Sequence, residues 1–126
     1  MTALTERDKA YLCERGYEFE ENASDGQHGV TIKGRLLPTD HFDAVSADIL
    51  IVLPPLYPMV PPDMFYLLPW VRLKRNNAFP RAADQPFQFA NQKWQRWSRH
   101  SQDWRPGMDG IWTMLKRVEH ALEIAA

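Results

Sequence analysis

Thiols are nearly missing from this sequence: Cys13 is the only cysteine among 126 residues. A lone cysteine makes no internal disulfide, and four histidines scattered along the chain leave no metal-ligand spacing, so no metal site is expected. No hydrophobic run approaches the roughly 18 residues that cross a membrane, and none is expected to. The opening MTALTERDKAYL lacks the apolar segment that directs export, which makes a cytoplasmic location the expectation. There is no GxGxxG and no phosphate-binding loop. No cofactor is expected, and any nucleotide chemistry would belong to a partner. The length fits one domain spanning 1–126, and 44% hydrophobic residues with five tryptophans suffice for its core.

What is plentiful is proline in one place. Five of the ten prolines (Pro54, Pro55, Pro58, Pro61 and Pro62) follow the apolar run Ile49–Leu53, and a second apolar run, DMFYLL, comes directly after them. Proline fixes φ and removes a ladder donor, so the chain must leave the sheet here along a stiff path and re-enter it. In that corner Tyr57 can pack its ring while its hydroxyl finds a partner.

Charge is also unevenly placed. Residues 1–69 hold 5 Lys/Arg against 11 Asp/Glu, whereas residues 70–106 hold 8 against 2. The two segments either attract each other within the fold or expose a basic surface that steers an acidic partner. The basic stretch has no helical periodicity, so no nucleic acid is expected.

Along the chain, Thr5 and Asp8 have the spacing of a capping box and Gly16 is a helix stop, which predicts a helix over 5–15. A lone helical cysteine such as Cys13 reads as a small buried hydrophobe. YEFEEN and VTIKGRLL alternate with the period of half-buried strands, with turn residues between them. Ile49–Leu53 and DMFYLL complete four strands in an antiparallel meander. Residues 70–106 read as a long loop packed by its own aromatics, Trp94, Trp97 and Trp104. Asp109 is placed to cap a last helix with the stripe Ile111, Leu115, Val118 and Leu122. The predicted fold is α+β, one four-stranded meander with helices against a face.

The order helix, four strands, YPxxPP (Tyr57, Pro58, Pro61, Pro62), long loop, WxP (Trp104, Pro106) and helix resembles the ubiquitin-conjugating (UBC) superfamily. WSRHSQDWRPGMDG is most similar to its bacterial branch, the prokaryotic UBC family E. The resemblance runs over roughly residues 5–125. It implies that the proline corner braces a catalytic loop. It also implies three partners: a ThiF-like adenylating activating enzyme, a ubiquitin-like protein, and a JAB-type metalloprotease from the same operon.

The sequence departs from that superfamily where its chemistry is done. A cysteine belongs in the long loop a few residues before WxP, and none is there, so a thioester at that place is excluded. Ser98 stands six residues before Trp104, followed by His100 and Asp103. A serine hydroxyl needs a base to take its proton, and a histidine oriented by an acid is the usual solution. Ser98 would accept the modifier as an oxyester, with His100 as base and Asp103 orienting it. The His-Pro-Asn asparagine that serves the oxyanion elsewhere in the superfamily is absent; Asn76, Asn77 and Asn91 are the available substitutes. Arg96, Trp97 and Arg99 flank Ser98 as stabilisers or as contacts to modifier or partner. The alternative is a non-catalytic UBC-like scaffold that binds the modifier or the activating enzyme.

Overall fold

The computed structural model describes residues 4–100 and 103–126. Its elements are α1 (Glu6–Glu14), β1 (Phe19–Ser24), β2 (Gln27–Leu36), β3 (Ser46–Leu53), β4 (Phe65–Leu68), β5 (Gln85–Phe89), β6 (Gln92–Trp97) and α2 (Ile111–Ile124). The six strands form one antiparallel sheet in the order β1-β2-β3-β4-β6-β5. The first four are the expected meander. The other two correct the reading of 70–106 as a loop: a hairpin lies inside it and extends the sheet. No helix among the described residues is long and apolar enough to cross a membrane.

Local signals place the first helix. Thr5 Oγ1 accepts from the Asp8 amide at 3.1 Å and Asp8 Oδ2 accepts from the Thr5 amide at 3.1 Å, closing the capping box. Gly16, at φ +73°, ends the helix, and Tyr17 N donates back to Leu12 O. Cys13 is exposed, not buried as expected, because the core stripe of α1 passes through Leu12 instead.

The sheet is covered twice. On one face, Leu12 of α1 and Ile111, Met114, Leu115, Val118 and Leu122 of α2 pack on Val30, Ile32, Ile49, Ile51, Phe65, Leu67 and Trp97. On the other face no helix is needed, because the sheet curls over itself. Leu50, Tyr66, Phe89 and Trp94 form a second, smaller core there. Gly29 on β2 makes that curl possible: a Cβ at this position would sit 2.8 Å from the Phe89 ring and 2.9 Å from Leu50. The hairpin tips meet as well, with Ala90 N donating to Ser24 Oγ at 3.1 Å.

The helical layer is fastened by one carboxylate. Asp8, 1% exposed, takes the Tyr57 hydroxyl on Oδ2 at 2.6 Å and the Ile111 amide on Oδ1 at 2.9 Å. It therefore caps its own helix, anchors the proline corner and satisfies an N-terminal donor of α2, where an anion also suits the helix dipole. Burial, reinforced by the hydrogen bond to Asp8, holds the Tyr57 phenol far above its ordinary range. The residue at the α2 cap itself is Gly110, not Asp109 as expected. Asp109, the residue before it, accepts from the Arg105 amide at 2.8 Å and from the Thr113 hydroxyl at 3.0 Å.

Candidate functional site

The pairing of β4 with β6 brings distant residues together. Phe65 faces Trp97 and Tyr66 faces Arg96, so residues just before β4 lie beside residues just after β6. Asp63 and His100 meet in this way across the strand ends.

Three buried contacts fix the end of β6. Trp97 is fully buried, stacked on Phe65 with ring centres 5.3 Å apart. It therefore offers no surface to a partner, contrary to the expectation for it. Gln95, also fully buried, uses its whole amide. Oε1 accepts from Val71 N at 2.9 Å and Trp97 Nε1 at 3.2 Å, while Nε2 donates to Val71 O at 2.9 Å and Ala83 O at 2.8 Å. This one side chain knits residues 70–84 onto the sheet. Ser98 N then donates to Ala82 O at 3.1 Å, holding the next residue in line.

The proline corner, with a cis Tyr57–Pro58 peptide, closes the other side. Trp104 Nε1 donates to Pro58 O at 2.9 Å and its ring lies 6.3 Å from that of Tyr57, so the WxP tryptophan and the YPxxPP motif brace each other. Pro62 is buried and Pro61 half-buried, while Pro106 is exposed. From α2, Arg117 reaches Pro62 O at 3.5 Å and Asp63 O at 3.4 Å, long contacts that tie the helix to the start of β4.

Within this frame the side chains of Ser98, His100 and Asp63 form a chain. Ser98 Oγ lies 3.1 Å from His100 Nε2, and His100 Nδ1 lies 2.6 Å from Asp63 Oδ1. A carboxylate only accepts, so Nδ1 carries a proton, and in the neutral ring Nε2 then presents its lone pair to the serine hydroxyl. Ser98 is half-buried, whereas the His100 and Asp63 side chains are 58% and 63% exposed. The acid on the histidine is Asp63, not Asp103 as the local spacing suggested. Asp103 is exposed and lies beside Ser101 and Gln102, which are outside the described residues. No signal within 70–106 could have found Asp63; only the β4–β6 register supplies it.

The other candidates separate. Arg99 donates to Arg81 O at 2.9 Å and Ser98 O at 3.1 Å and lies over the Trp97 ring; burial and the Arg81 charge lower its pKa. Arg96 points to the opposite face from Trp97. Asn91 sits in the β5–β6 turn, at the far end of β6 from Ser98, and Asn76 and Asn77 lie in a turn after Leu73. Asn91 is thus away from the serine, and the Asn76 side chain accepts from Ala78 N at 3.1 Å within its own turn. Among the described residues no group of three His, Cys, Asp or Glu side chains could hold a metal ion. The basic segment is partly satisfied from within: Lys74 pairs with Asp40 at 3.1 Å, Arg105 with Asp109 at 3.3 Å, and Arg72 stacks on Phe79.

Comparison with curated proteins and with solved structures gives no match. Over residues 4–125 the chain matches Prokaryotic E2 family E. A match over almost the full length, on an α+β frame with the two motifs braced together, places the chain in ubiquitin-like conjugation at the level of the family, alongside an activating enzyme and a modifier. The chain belongs to Prokaryotic E2 family E.

Proposed function

We propose that this protein is a cysteine-free acyl carrier, taking a ubiquitin-like modifier from its activating enzyme onto Ser98 and passing it to a target amine. The observation that supports this reading is the hydrogen-bonded chain Ser98–His100–Asp63, at 3.1 and 2.6 Å, in the segment just before WxP.

Ser98 Oγ adds to the carbonyl carbon of the modifier's C-terminus, which the activating enzyme presents as an activated ester. The serine proton passes to His100 Nε2, and Asp63 holds the ring and stabilises the resulting imidazolium. Collapse breaks the bond to the activating enzyme, whose leaving group takes the proton. In the second half a target amine attacks the oxyester, the C–O bond breaks, and the proton lost by the amine returns to Ser98 through His100. Exposure of His100 and Asp63 suits a site that must admit two other proteins in turn. The activating enzyme would be a ThiF-like adenylating protein, a JAB-type metalloprotease would remove the modifier, and the work would be cytosolic.

The test is incubation with the activating enzyme, ATP and the ubiquitin-like protein, followed by denaturing electrophoresis. An adduct that survives thiol reductant, breaks with hydroxylamine and vanishes in Ser98→Ala is the expected result. Absence of an adduct, or one that persists in Ser98→Ala, rejects the reading. A second reading, a non-catalytic scaffold for the modifier or activating enzyme, is favoured by one observation: the sole thiol is on α1, a different element from the site.

A further inference from the structure

The surface of α2 is divided by charge. On one flank Glu119 and Glu123 border a hollow shared with Arg35, and the Glu119 charge reaches Tyr17. On the other flank Lys116, Arg117 and His120 line an open groove of about 470 Å³. Met108, 60% exposed, and the half-buried Trp112 give that groove its apolar surface. Helix chemistry does not account for the three basic side chains. None stands in the last turn, where a cation would offset the helix dipole. Among the described residues none of them forms an ion pair. Of the acids on this flank, Asp109 is held by Arg105 and Thr113, and Asp63, whose charge acts on Arg117, is held by His100. Arg117 is half-buried, and its hydrogen bonds are the two long ones to the Pro62 and Asp63 carbonyls. The groove therefore carries positive charge that the fold leaves unused.

We propose that this groove binds an acidic peptide segment bearing an apolar side chain. Its carboxylates meet Lys116, Arg117 and His120, and its apolar side chain rests on Met108 and Trp112. The length fits a chain better than a single small anion: from Trp112 to His120 the helix rises about 12 Å, the reach of about four extended residues. The width separates a peptide from nucleic acid or a membrane. A broad polyanion would also meet Glu14, beyond Trp112, and Glu119 and Glu123 on the opposite flank, whereas a narrow acidic strand avoids all three. Arg117 joins the groove to the Ser98–His100–Asp63 chain through the Asp63 carbonyl, so an occupant is held beside that chain. Binding here does not depend on whether Ser98 carries an acyl group.

The experiment is an NMR titration of the isotope-labelled protein with a short synthetic peptide of glutamates around one leucine. The Trp112 indole signal and the amides of residues 105–120 should shift, and added salt should weaken the binding. Lys116→Glu should weaken it about 10-fold, and His120→Glu should act in the same direction. Arg75→Glu, an equal change of net charge to Lys116→Glu on an exposed turn outside the groove, should leave affinity within about twofold. All three substitutions are at exposed positions, and the dispersion of each spectrum reports whether the variant is folded. A peptide with glutamine for every glutamate should leave these signals unmoved. Equal binding of that peptide, equal weakening by Arg75→Glu, shifts confined to another face, or no shifts at millimolar peptide would each overturn the proposal. So would binding of a DNA oligonucleotide or of anionic vesicles through these residues when the acidic peptide does not bind.

Discussion

The β1–β2 and β5–β6 hairpins turn in the same way and are held for different reasons. Each has a two-residue turn with both central residues at positive φ: Asp25 (+51°) and Gly26 (+79°) in the first, Ala90 (+51°) and Asn91 (+63°) in the second. In β1–β2 the Asp-Gly pair suits that geometry, so the turn itself specifies the hairpin. In β5–β6 an alanine is forced where a Cβ is unwelcome, and the hairpin is held from outside. Gln95 clamps it to the 70–84 segment, Trp70 Nε1 bonds Lys93 O at 3.0 Å, and Phe89 fills the hollow over Gly29. A hairpin fixed by its surroundings puts the residues at its end where those surroundings dictate. Ser98 follows such a strand.

The comparison can be broken most strongly at Gln95. Gln95→Leu leaves Val71 N, Val71 O, Ala83 O and the Trp97 indole without a partner, and should destabilise by about 3–5 kcal/mol in urea unfolding. By contrast Glu20→Gln on exposed β1 should stay within about 0.5 kcal/mol. Next comes Gly29→Ala, whose methyl would press on Phe89 and Leu50; a loss of about 1–3 kcal/mol, with a lower Tm, is expected. The turns themselves should respond in opposite senses: Gly26→Ala costs about 1 kcal/mol, while Ala90→Gly costs nothing or stabilises by up to about 1 kcal/mol. Equal destabilisation by both would mean that the two turns are not held differently.

The smallest effect is in acid. The Arg105 amide, then its guanidinium, and the Thr113 hydroxyl hold Asp109 below the usual carboxylate range. A carboxyl depressed in the folded state stabilises above its unfolded value of about 3.9 and loses that contribution as pH falls through the folded value. Asp109→Asn should therefore flatten the stability curve below about pH 4, read by thermal melts across pH, and remove stability above it.

What could be read from the chain follows the same division. Thr5 with Asp8, Gly16, the first four strands and the Ile111–Leu122 stripe are signals within a few residues of one another, and all appear in the structure. The β5–β6 hairpin was hidden because Pro86 argues against a strand and Ala-Asn against a tight turn. Pro86 is tolerated because β5 is the edge of the sheet. Ser98 and His100 stood out because they are two residues apart; Asp63 did not, because 37 residues and a register separate it from His100. The same limit hid Asp8 as the partner of Tyr57.

Asp8 also changes how the molecule can come apart. Because one carboxylate holds the Thr5 amide, the Tyr57 hydroxyl and the Ile111 amide, α1 cannot lift away without uncapping α2 and releasing the proline corner. Local opening at the amino terminus is thereby coupled to the two elements that flank the serine. The amide of Ile111 becomes a remote reporter: its hydrogen exchange should follow the detachment of a helix more than a hundred residues earlier in the chain.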